Sequence, residues 1–542
     1  MKNIKNNILI QGTLILTMAG IISRVLGFFY RIYLTRVIGS QGIGLMQIVM
    51  PVIGLVYAIC SASIQTAISK YVSGTNFNPK NLYSKKAHSK DKLTDLTHTT
   101  DNTAQSSTKN AAGLPIYWLK CGFIISIPLT ILLSVLVYNQ AALISTRLLL
   151  APECEPLLKI LSISFLFSTI HNCTVGYYYG MKKSVIPAIS QLIEQIVRIL
   201  TVFLYIFYCQ NNHITVTVIC AIIGNLAGEI AAALYCCLSI ALSNRHTTKT
   251  TDSSQSARSL CSVKASMMGV KKIFVYSLPL TANRVLMHLL QSGEAILVPA
   301  QLLIYGYSKS QALSYFGILT GMALPFIMFP TAITNSLSVL LLPTVSSDCD
   351  SQNKQSLINT VSKCIALCIA MGIISTFLFI FYGAEIGAAI FKEPDVYGYI
   401  TVLAWLCPFI YLTATLGSTL NGMGKTSTTC IQNIIGIIIR LACLVLLVPK
   451  YGIPAYLIGI LVSQIFVCIS HYISISRTLH IKSDVYDWIV KPLAIGIISI
   501  TLSLIFESIM TNVTSSVSSL LSSIISAAVA GIVFLIIYFK YQ

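Results

Sequence analysis

Charged residues are scarce in this sequence, and acidic residues are the scarcer kind. Only 10% of the 542 residues are charged, with 17 Asp and Glu against 36 Lys and Arg, while 55% are hydrophobic. A soluble domain would carry about 25% charged residues. The composition therefore excludes a soluble globular protein and predicts an all-α polytopic membrane protein whose apolar side chains face lipid.

Motifs of catalysis and metal binding are lacking as well. The sequence has no glycine-rich phosphate loop after a strand, no metal-ligand cluster and no nucleophile elbow. Its 16 cysteines are scattered without paired zinc spacing and behave as small hydrophobic side chains. The stretch GMGKTS at 422–427 imitates part of a P-loop, but its spacing is wrong. We therefore expect no enzyme activity, no cofactor and no resident metal ion.

What the sequence does contain is a series of fourteen apolar segments, each long enough to cross a bilayer, which takes roughly 20 residues. They lie at 9–34, 42–73, 115–138, 157–180, 185–208, 214–243, 272–304, 313–343, 359–382, 396–421, 426–448, 453–475, 489–509 and 519–539. Lysine and arginine concentrate in alternate loops, which predicts that both termini are cytoplasmic. The same rule explains the net charge of +19 without a nucleic-acid partner.

Two segments are long and polar. Residues 74–113 are rich in Asn, Ser, Thr, Lys and Asp, and residues 244–270 are similar. Because they offer little apolar surface to bury, we expect them to be cytoplasmic linkers. The second falls between the sixth and seventh spans, where two halves of a transporter would be joined.

An internal repeat supports that division. The segment GMKKSVIPAISQLIEQIVR, which ends at Arg198, aligns without a gap with GMGKTSTTCIQNIIGIIIR, which ends at Arg440, and Gly180, Met181, Lys183 and Arg198 are among the positions that match. Six spans separate the copies, so both have the same orientation, as in a parallel repeat about the membrane normal. We predict an N-lobe at 1–243, a linker at 244–270, a C-lobe at 271–478 and two appended spans at 479–542.

The first and seventh spans each carry a polar stripe with helical spacing. The stripes are Thr13, Thr17, Gly20, Arg24, Gly27 and Arg31 in the first span, and Ser277, Thr281, Arg284, His288, Gln291 and Ala295 in the seventh. Because a cation inside a membrane is costly, such a face points to a water-filled cavity or a partner. The alternative is that Arg31 reaches the interface while Gly20 and Gly27 only allow close helix packing.

Three prolines predict helix breaks in the spans that would move. Pro279 lies in the seventh span, and Pro325 and Pro330 lie in the eighth. A proline frees carbonyl groups at membrane depth, which is tolerated where a cavity receives them. Together with Gly20 and Gly27, these residues are candidate hinges.

Carboxylates within the spans are candidate ion-coupling residues. They include Glu194, Glu229 and Glu294. Glu194 stands four residues before Arg198, so the two could instead neutralise each other. Glu294 could be a counter-ion of Arg284 only with the help of a neighbouring helix. His288 either titrates or is a structural histidine.

Several blocks resemble a known family. The motifs SRVLGF at 23–28, QTAISKYVSG at 65–74 and LTGMALPFIMFPTAITNSLSVLLLPTVS at 319–346, with residues 420–460, resemble sporulation members of the polysaccharide-export branch of the MOP superfamily. That superfamily also holds the murein lipid II flippases and the MATE drug exporters. The resemblance implies two six-helix lobes with two extra helices, alternating access, and a place in the bacterial cytoplasmic membrane.

The resemblance also implies a substrate. Its members move undecaprenyl-pyrophosphate-linked sugars to the outer leaflet, here in a role linked to spore cortex formation. Murein flippases share SRVLGF, follow it with Arg-Asp where this chain has Tyr30-Arg31, and carry an arginine after the proline where this chain has VIGLVY after Pro51. Only Arg24 therefore transfers from their pattern.

We predict a lipid-linked glycan flippase, monomeric in the bilayer, with its pyrophosphate site at Arg24, Arg31 and Arg284 and with His288 and Gln291 nearby. Two alternatives stay open: a cation-coupled multidrug exporter, and a scaffold that recruits cell-wall synthesis enzymes through residues 74–113. Cell-wall enzymes are candidate partners of the flippase as well.

Overall fold

The computed structural model describes residues 8–74, 115–248, 263–335, 354–481, 484–513 and 519–540, and a few single positions between 337 and 345. Within these ranges the chain forms helices joined by short turns, which confirms the all-α class. The predicted loop at 74–113 lies outside the described residues except for Gly74. Of the predicted linker at 244–270, residues 244–248 and 263–270 are helical, and residues 249–262 lie outside the described residues.

We number the main helices in chain order. They are α1 (Ile8–Tyr57), α2 (Ser63–Gly74), α3 (Pro115–Asn139), α4 (Glu155–Gly180), α5 (Val185–Asn211), α6 (Ile219–Thr248), α7 (Val263–Tyr305), α8 (Lys309–Gly317), α9 (Leu324–Ile327), α10 (Lys354–Leu378), α11 (Ala384–Phe391), α12 (Val396–Leu403), α13 (Cys407–Gly422), α14 (Thr426–Tyr451), α15 (Ile453–Leu479), α16 (Lys491–Val513) and α17 (Ser519–Lys540).

Among the described residues, 13 helical segments are long and apolar enough to cross a membrane. The first of them, Ile15–Gly74, is 60 residues long and includes most of the first predicted span and all of the second. Gly39 separates these spans, since its backbone turns out of the helix with φ 70° and ψ 175°, a conformation that favours glycine. Each of the fourteen predicted spans therefore has a helical counterpart.

The helices are held together by apolar packing and by small hydroxyl side chains. Large apolar residues such as Leu132 and Leu204, both 63% exposed, cover the outside as expected of a lipid-facing surface. Buried hydroxyls pair between helices, for example Thr130 with Thr169 at 2.9 Å between α3 and α4. Such small residues let membrane helices approach closely.

The same helix pairs recur in the two halves of the chain. In the first half α5 packs on α6, α3 on α4, and α1 on α5. In the second half α14 packs on α15, α10 on α13, and α7 on α14. A parallel repeat produces this pattern, whereas the exact lobe boundaries stay predictions.

The second half of α1 crosses α8 at very short range. Cβ atoms built at Gly44 and Gly317 would overlap backbone atoms of the facing helix, so only glycine fits at either position. The hydroxyls of Ser40 and Ser314 lie 2.6 Å apart beside this crossing. The halves are therefore in direct backbone contact here.

Further bonds join the halves at the same end of the molecule. The Arg36 Nε donates to the carbonyl of Ile390 at 2.7 Å, and Lys309 Nζ lies 2.8 Å from Glu153. Arg36 and Lys309 belong to loops predicted to be outside. The structure thus holds its halves together at the predicted outer face.

The prolines behave differently in α7 and around α9. Helix α7 runs without interruption through Pro279, so the expected break is absent there. A proline removes one backbone donor, which a long helix can absorb. Around Pro325 the helix is irregular, since a π turn at Ile318–Ala323 precedes α9 and turns at 328–330 follow it.

Candidate binding cavities

A cavity of about 400 Å³ lies between α1, α5, α6 and α9. We call it the arginine cavity, because three arginines share its wall. Its polar lining comprises Arg24, Tyr30, Arg31, Gln47, Gln195, Arg198 and Asn225. Among the described residues that line it, none is acidic. Arg24 and Arg31 therefore give it a positive wall.

Helix α1 supplies two of the arginines through its polar stripe. Arg24, Gly27 and Arg31 all line the arginine cavity, with the Arg24 side chain exposed and Arg31 half-buried. A Cβ at Gly27 would lie 3.4 Å from Gln195 Nε2, so this glycine also allows α5 to approach. Gly20 does not line the cavity, and the side chain of Thr13 lies outside the described residues.

The third arginine, Arg198, is held by neighbours on its own helix. Its Nη2 donates to Glu194 and its Nη1 donates to Gln195 Oε1 at 3.1 Å. The alternative in which Glu194 and Arg198 neutralise each other is thus present in the structure. From the sequence, Arg198 was a repeat position and a possible partner of Glu194, and its place in a cavity wall was not predicted.

Glu194 forms a cluster with two further side chains, His171 and Glu229. His171 Nδ1 lies 3.6 Å from Glu229 Oε2 and 4.0 Å from Glu194 Oε2. These three ligand atoms lie within 4.8 Å of one another, a spacing that can hold a cation. Sequence spacing predicted no such cluster, since its members come from α4, α5 and α6.

A second cavity, of about 360 Å³, lies between α1, α7, α8 and α14. We call it the glutamate cavity. Its polar lining comprises Gln47, His288, Gln291, Glu294, Thr320, Arg440 and Tyr456. Gln47 and Met50 of α1 line both cavities, so a single helix separates them.

The carboxylate of Glu294 is buried and fully engaged. Arg440 Nη2 donates to Oε2 at 2.6 Å, Arg440 Nε lies 2.5 Å from Oε1, and the Tyr456 hydroxyl donates to Oε1 at 2.5 Å. Arg440, rather than Arg284, is therefore the counter-ion of Glu294. This partner comes from the neighbouring helix α14.

Arg284 stands apart from both cavities. Its Nη2 donates to Thr66 Oγ1 of α2 at 3.2 Å, and it lines neither the arginine nor the glutamate cavity. His288, one turn further on, packs against α1, where a Cβ at Gly54 would lie 2.8 Å from its Nδ1. The structure thus brings together Arg24 and Arg31, but not Arg24 and Arg284.

A family model described as polysaccharide biosynthesis protein matches residues 9–89 and 116–349, more than half of the chain. The chain belongs to this family. Among its relatives, stage V sporulation protein B of Bacillus subtilis (strain 168) is 24% identical over 481 residues, which cover 88% of this chain and 86% of that protein.

Solved structures share the fold of this family member. The lipid II flippase MurJ in an inward closed conformation matches with a TM-score of 0.61 and 16% identity, covering 97% of this chain and 98% of that one. A MATE family multidrug transporter of the MOP superfamily, in an inward-facing conformation, matches with a TM-score of 0.60 and 11% identity, covering 84% and 94%. These likenesses extend over most of the chain and show a shared fold, and the chain is a multi-pass membrane protein of the polysaccharide biosynthesis family.

Proposed function

We propose that this protein is a flippase that moves an undecaprenyl-pyrophosphate-linked sugar, a lipid II-like or polysaccharide precursor, across the bacterial cytoplasmic membrane. The charge of the arginine cavity carries the proposal. Arg24, Arg31 and Arg198 line it, and no described lining residue is acidic. Guanidinium groups bind phosphate oxygens in a two-pronged geometry, so the cavity suits a pyrophosphate.

The remaining lining suits a sugar. The amides of Gln47, Gln195 and Asn225 offer both donors and acceptors to hydroxyl groups. The prenyl tail would remain in lipid while the polar head occupies the cavity. The substrate leaves unchanged, so the proposed activity is transport and not catalysis.

We also propose a direction of transport and a role in the cell. With both termini in the cytoplasm, the contacts at Arg36 and Lys309 close the outer side, and the head group enters from the inner leaflet. The names of the sporulation and lipid II relatives support a role in spore cortex or cell-wall synthesis. We propose a monomer, with cell-wall synthesis enzymes as candidate partners.

A cation-coupled drug exporter is the competing function. Binding an organic cation would need a free carboxylate in a cavity. Glu294 is the acidic residue that lines the glutamate cavity, and Arg440 and Tyr456 already satisfy it. The engagement of Glu294 therefore favours the flippase.

Native mass spectrometry of the detergent-purified protein with lipid II tests the proposal. We expect an adduct whose affinity falls about tenfold or more in Arg24→Gln and in Arg31→Gln, since a hydrogen bond to a charged group contributes about 1.5–3 kcal/mol. Arg147→Gln is the matched control, because Arg147 is exposed and lies in a predicted outer loop. If the wild type and all three variants bound lipid II equally well, and a cationic dye bound in a way that depends on Glu294, the protein would be a drug exporter and not a flippase.

A further inference from the structure

His171, which forms a cluster with Glu194 and Glu229 beside the arginine cavity, has a defined hydrogen-bonding pattern. Ser190 Oγ donates its only proton to the carbonyl of Pro187 at 2.9 Å. With that proton on Pro187, the 3.1 Å contact with His171 Nε2 uses a lone pair of the Ser190 hydroxyl, and the tautomer that fits has its proton on Nε2. The second ring nitrogen, Nδ1, then faces Glu194 and Glu229.

A neutral imidazole does not fit that position. With Nε2 protonated, a neutral His171 would point the Nδ1 lone pair at two carboxylate oxygens 3.6 and 4.0 Å away. The His171 side chain is only 9% exposed, and Glu229 Oε2 is buried without a hydrogen-bond partner. Buried polar atoms are normally satisfied, so a positive charge is needed between them.

Within the cluster and its bound Arg198, a single proton is the positive charge that restores neutrality. Glu194, Glu229 and Arg198 together carry one net negative charge, which a single proton on His171 cancels. A divalent metal ion would leave a net positive charge beside Arg31 in a membrane interior, which is costly. Tyr57 of α1 is uncharged and lies within electrostatic range of both carboxylates and of Arg284 on α7. Arg31 of α1 lines the arginine cavity together with Arg198.

The helices on the remaining sides add hydroxyls. From α3 come Ser126 and Thr130, which bond to Cys173 and Thr169 of α4. His171 is therefore the group placed to supply the missing charge to Glu194 and Glu229.

Arg198 connects the cluster to the arginine cavity. It lines the cavity and at the same time donates to Glu194. A phosphate in the cavity would compete with Glu194 for this guanidinium. A protonated His171 can compensate Glu194 when Arg198 turns to the phosphate, whereas a neutral His171 cannot.

We propose that His171, Glu194 and Glu229 form a proton-binding site, and that the proton on His171 Nδ1 makes Arg198 available to the anionic head group. The link to the head group rests on the function proposed above, whereas the proton site itself does not. Binding of a pyrophosphate is then accompanied by proton uptake, and affinity falls as pH rises.

The proton site is tested without ligand, in nanodiscs. We expect the unfolding temperature of the wild type to fall more steeply between pH 6 and 8.5 than that of His171→Gln, because loss of the proton leaves a buried negative charge. His471→Gln is the matched control, since His471 is buried but its Nδ1 contacts the neutral Gln432 at 2.7 Å. In Glu229→Gln this side chain is uncharged at every pH, so the unfolding temperature of this variant should also change little with pH.

Two outcomes would overturn the site. One is a wild-type profile that coincides with those of His171→Gln and Glu229→Gln. The other is a stabilisation of the wild type by Zn²⁺ that EDTA reverses and His171→Gln abolishes, which would make the occupant a metal ion.

The link to the head group is tested by calorimetric titration with farnesyl pyrophosphate in buffers of different ionisation enthalpy. We expect the wild type and His471→Gln to take up more protons per bound ligand than His171→Gln, by up to one. The affinity of the wild type should fall, relative to His171→Gln, by up to tenfold per pH unit, the limit for one linked proton. The titration of the probe is common to all variants and cancels.

Equal proton uptake in wild type and His171→Gln would overturn the link while leaving the stability result intact. Absence of binding in every variant would instead contradict the proposed function. The two experiments therefore distinguish an error in the proton link from an error in the proposed function.

Discussion

Arg440 and Glu294 stand 146 positions apart in the chain, yet the Arg440 Nη2 lies 2.6 Å from Glu294 Oε2. They join α14 to α7 at the wall of the glutamate cavity. A buried ion pair of this kind offsets its own desolvation only while both partners are present. The pair therefore ties a central helix of the second half to its neighbour.

Removing one partner should be costly. We expect Glu294→Gln and Arg440→Gln each to lower the free energy of unfolding by about 3–5 kcal/mol, because each leaves an unpaired buried charge or donor. The double variant should lose less than the sum of the two. Chemical unfolding in detergent, followed by circular dichroism, measures all three.

The exposed pair of Lys159 and Glu155 provides the control. These side chains are 42% and 36% exposed, so Glu155→Gln should cost less than about 1 kcal/mol. Equal losses at Glu155 and Glu294 would mean that Glu294 is not buried in a specific pair.

The close crossing of α1 and α8 predicts that a larger residue at Gly317 destabilises the fold. A Cβ at Gly317 would overlap the backbone carbonyl oxygen of Ser40, which cannot move aside without shifting α1. We expect Gly317→Ala to lower the unfolding free energy by about 1–3 kcal/mol. Gly293→Ala is the control, because nothing lies within 4 Å of its Cβ position and alanine favours a helix. Equal behaviour of the two variants in thermal unfolding would contradict the close crossing.

The same crossing gives a test of motion. Because the hydroxyls of Ser40 and Ser314 lie 2.6 Å apart, cysteines at both positions are close enough to be tested for a disulfide. If the halves must separate there to release the head group, oxidation of the double cysteine variant should stop lipid translocation in proteoliposomes, and a reductant should restore it. The single variant Ser40→Cys, treated in the same way, controls for the native cysteines. Unchanged translocation with complete cross-linking would show that this face does not open.

Helical periodicity was the most informative sequence signal in the first half of the chain. It placed Arg24, Gly27 and Arg31 on one face, and that face lines the arginine cavity. The same reasoning did not extend to Arg284, since the direction of a residue on α7 depends on how α2 packs against it. The partner of Glu294 was equally hidden, because no local spacing relates it to Arg440.

The internal repeat holds a further signal about its two arginines. Arg198 is repeated as Arg440 with a constant offset of 242 residues, which marks both as special. Position 436, the equivalent of Glu194, is a glycine, so Arg440 must take its carboxylate from another helix. The cluster around His171 assembles three helices, and only their packing reveals it.

The placement of Arg284 leads to a final prediction. Because Arg284 donates to Thr66 and lines neither cavity, Arg284→Gln should reduce lipid II affinity by less than about threefold, whereas Arg24→Gln should reduce it at least tenfold. Native mass spectrometry of both variants under one set of conditions measures the difference. Thr66→Val tests the contact itself, and it should mimic Arg284→Gln in thermal stability. If Arg284→Gln abolished binding as completely as Arg24→Gln, Arg284 would have to enter the cavity in a second conformation, and the two arginine stripes would face each other after all.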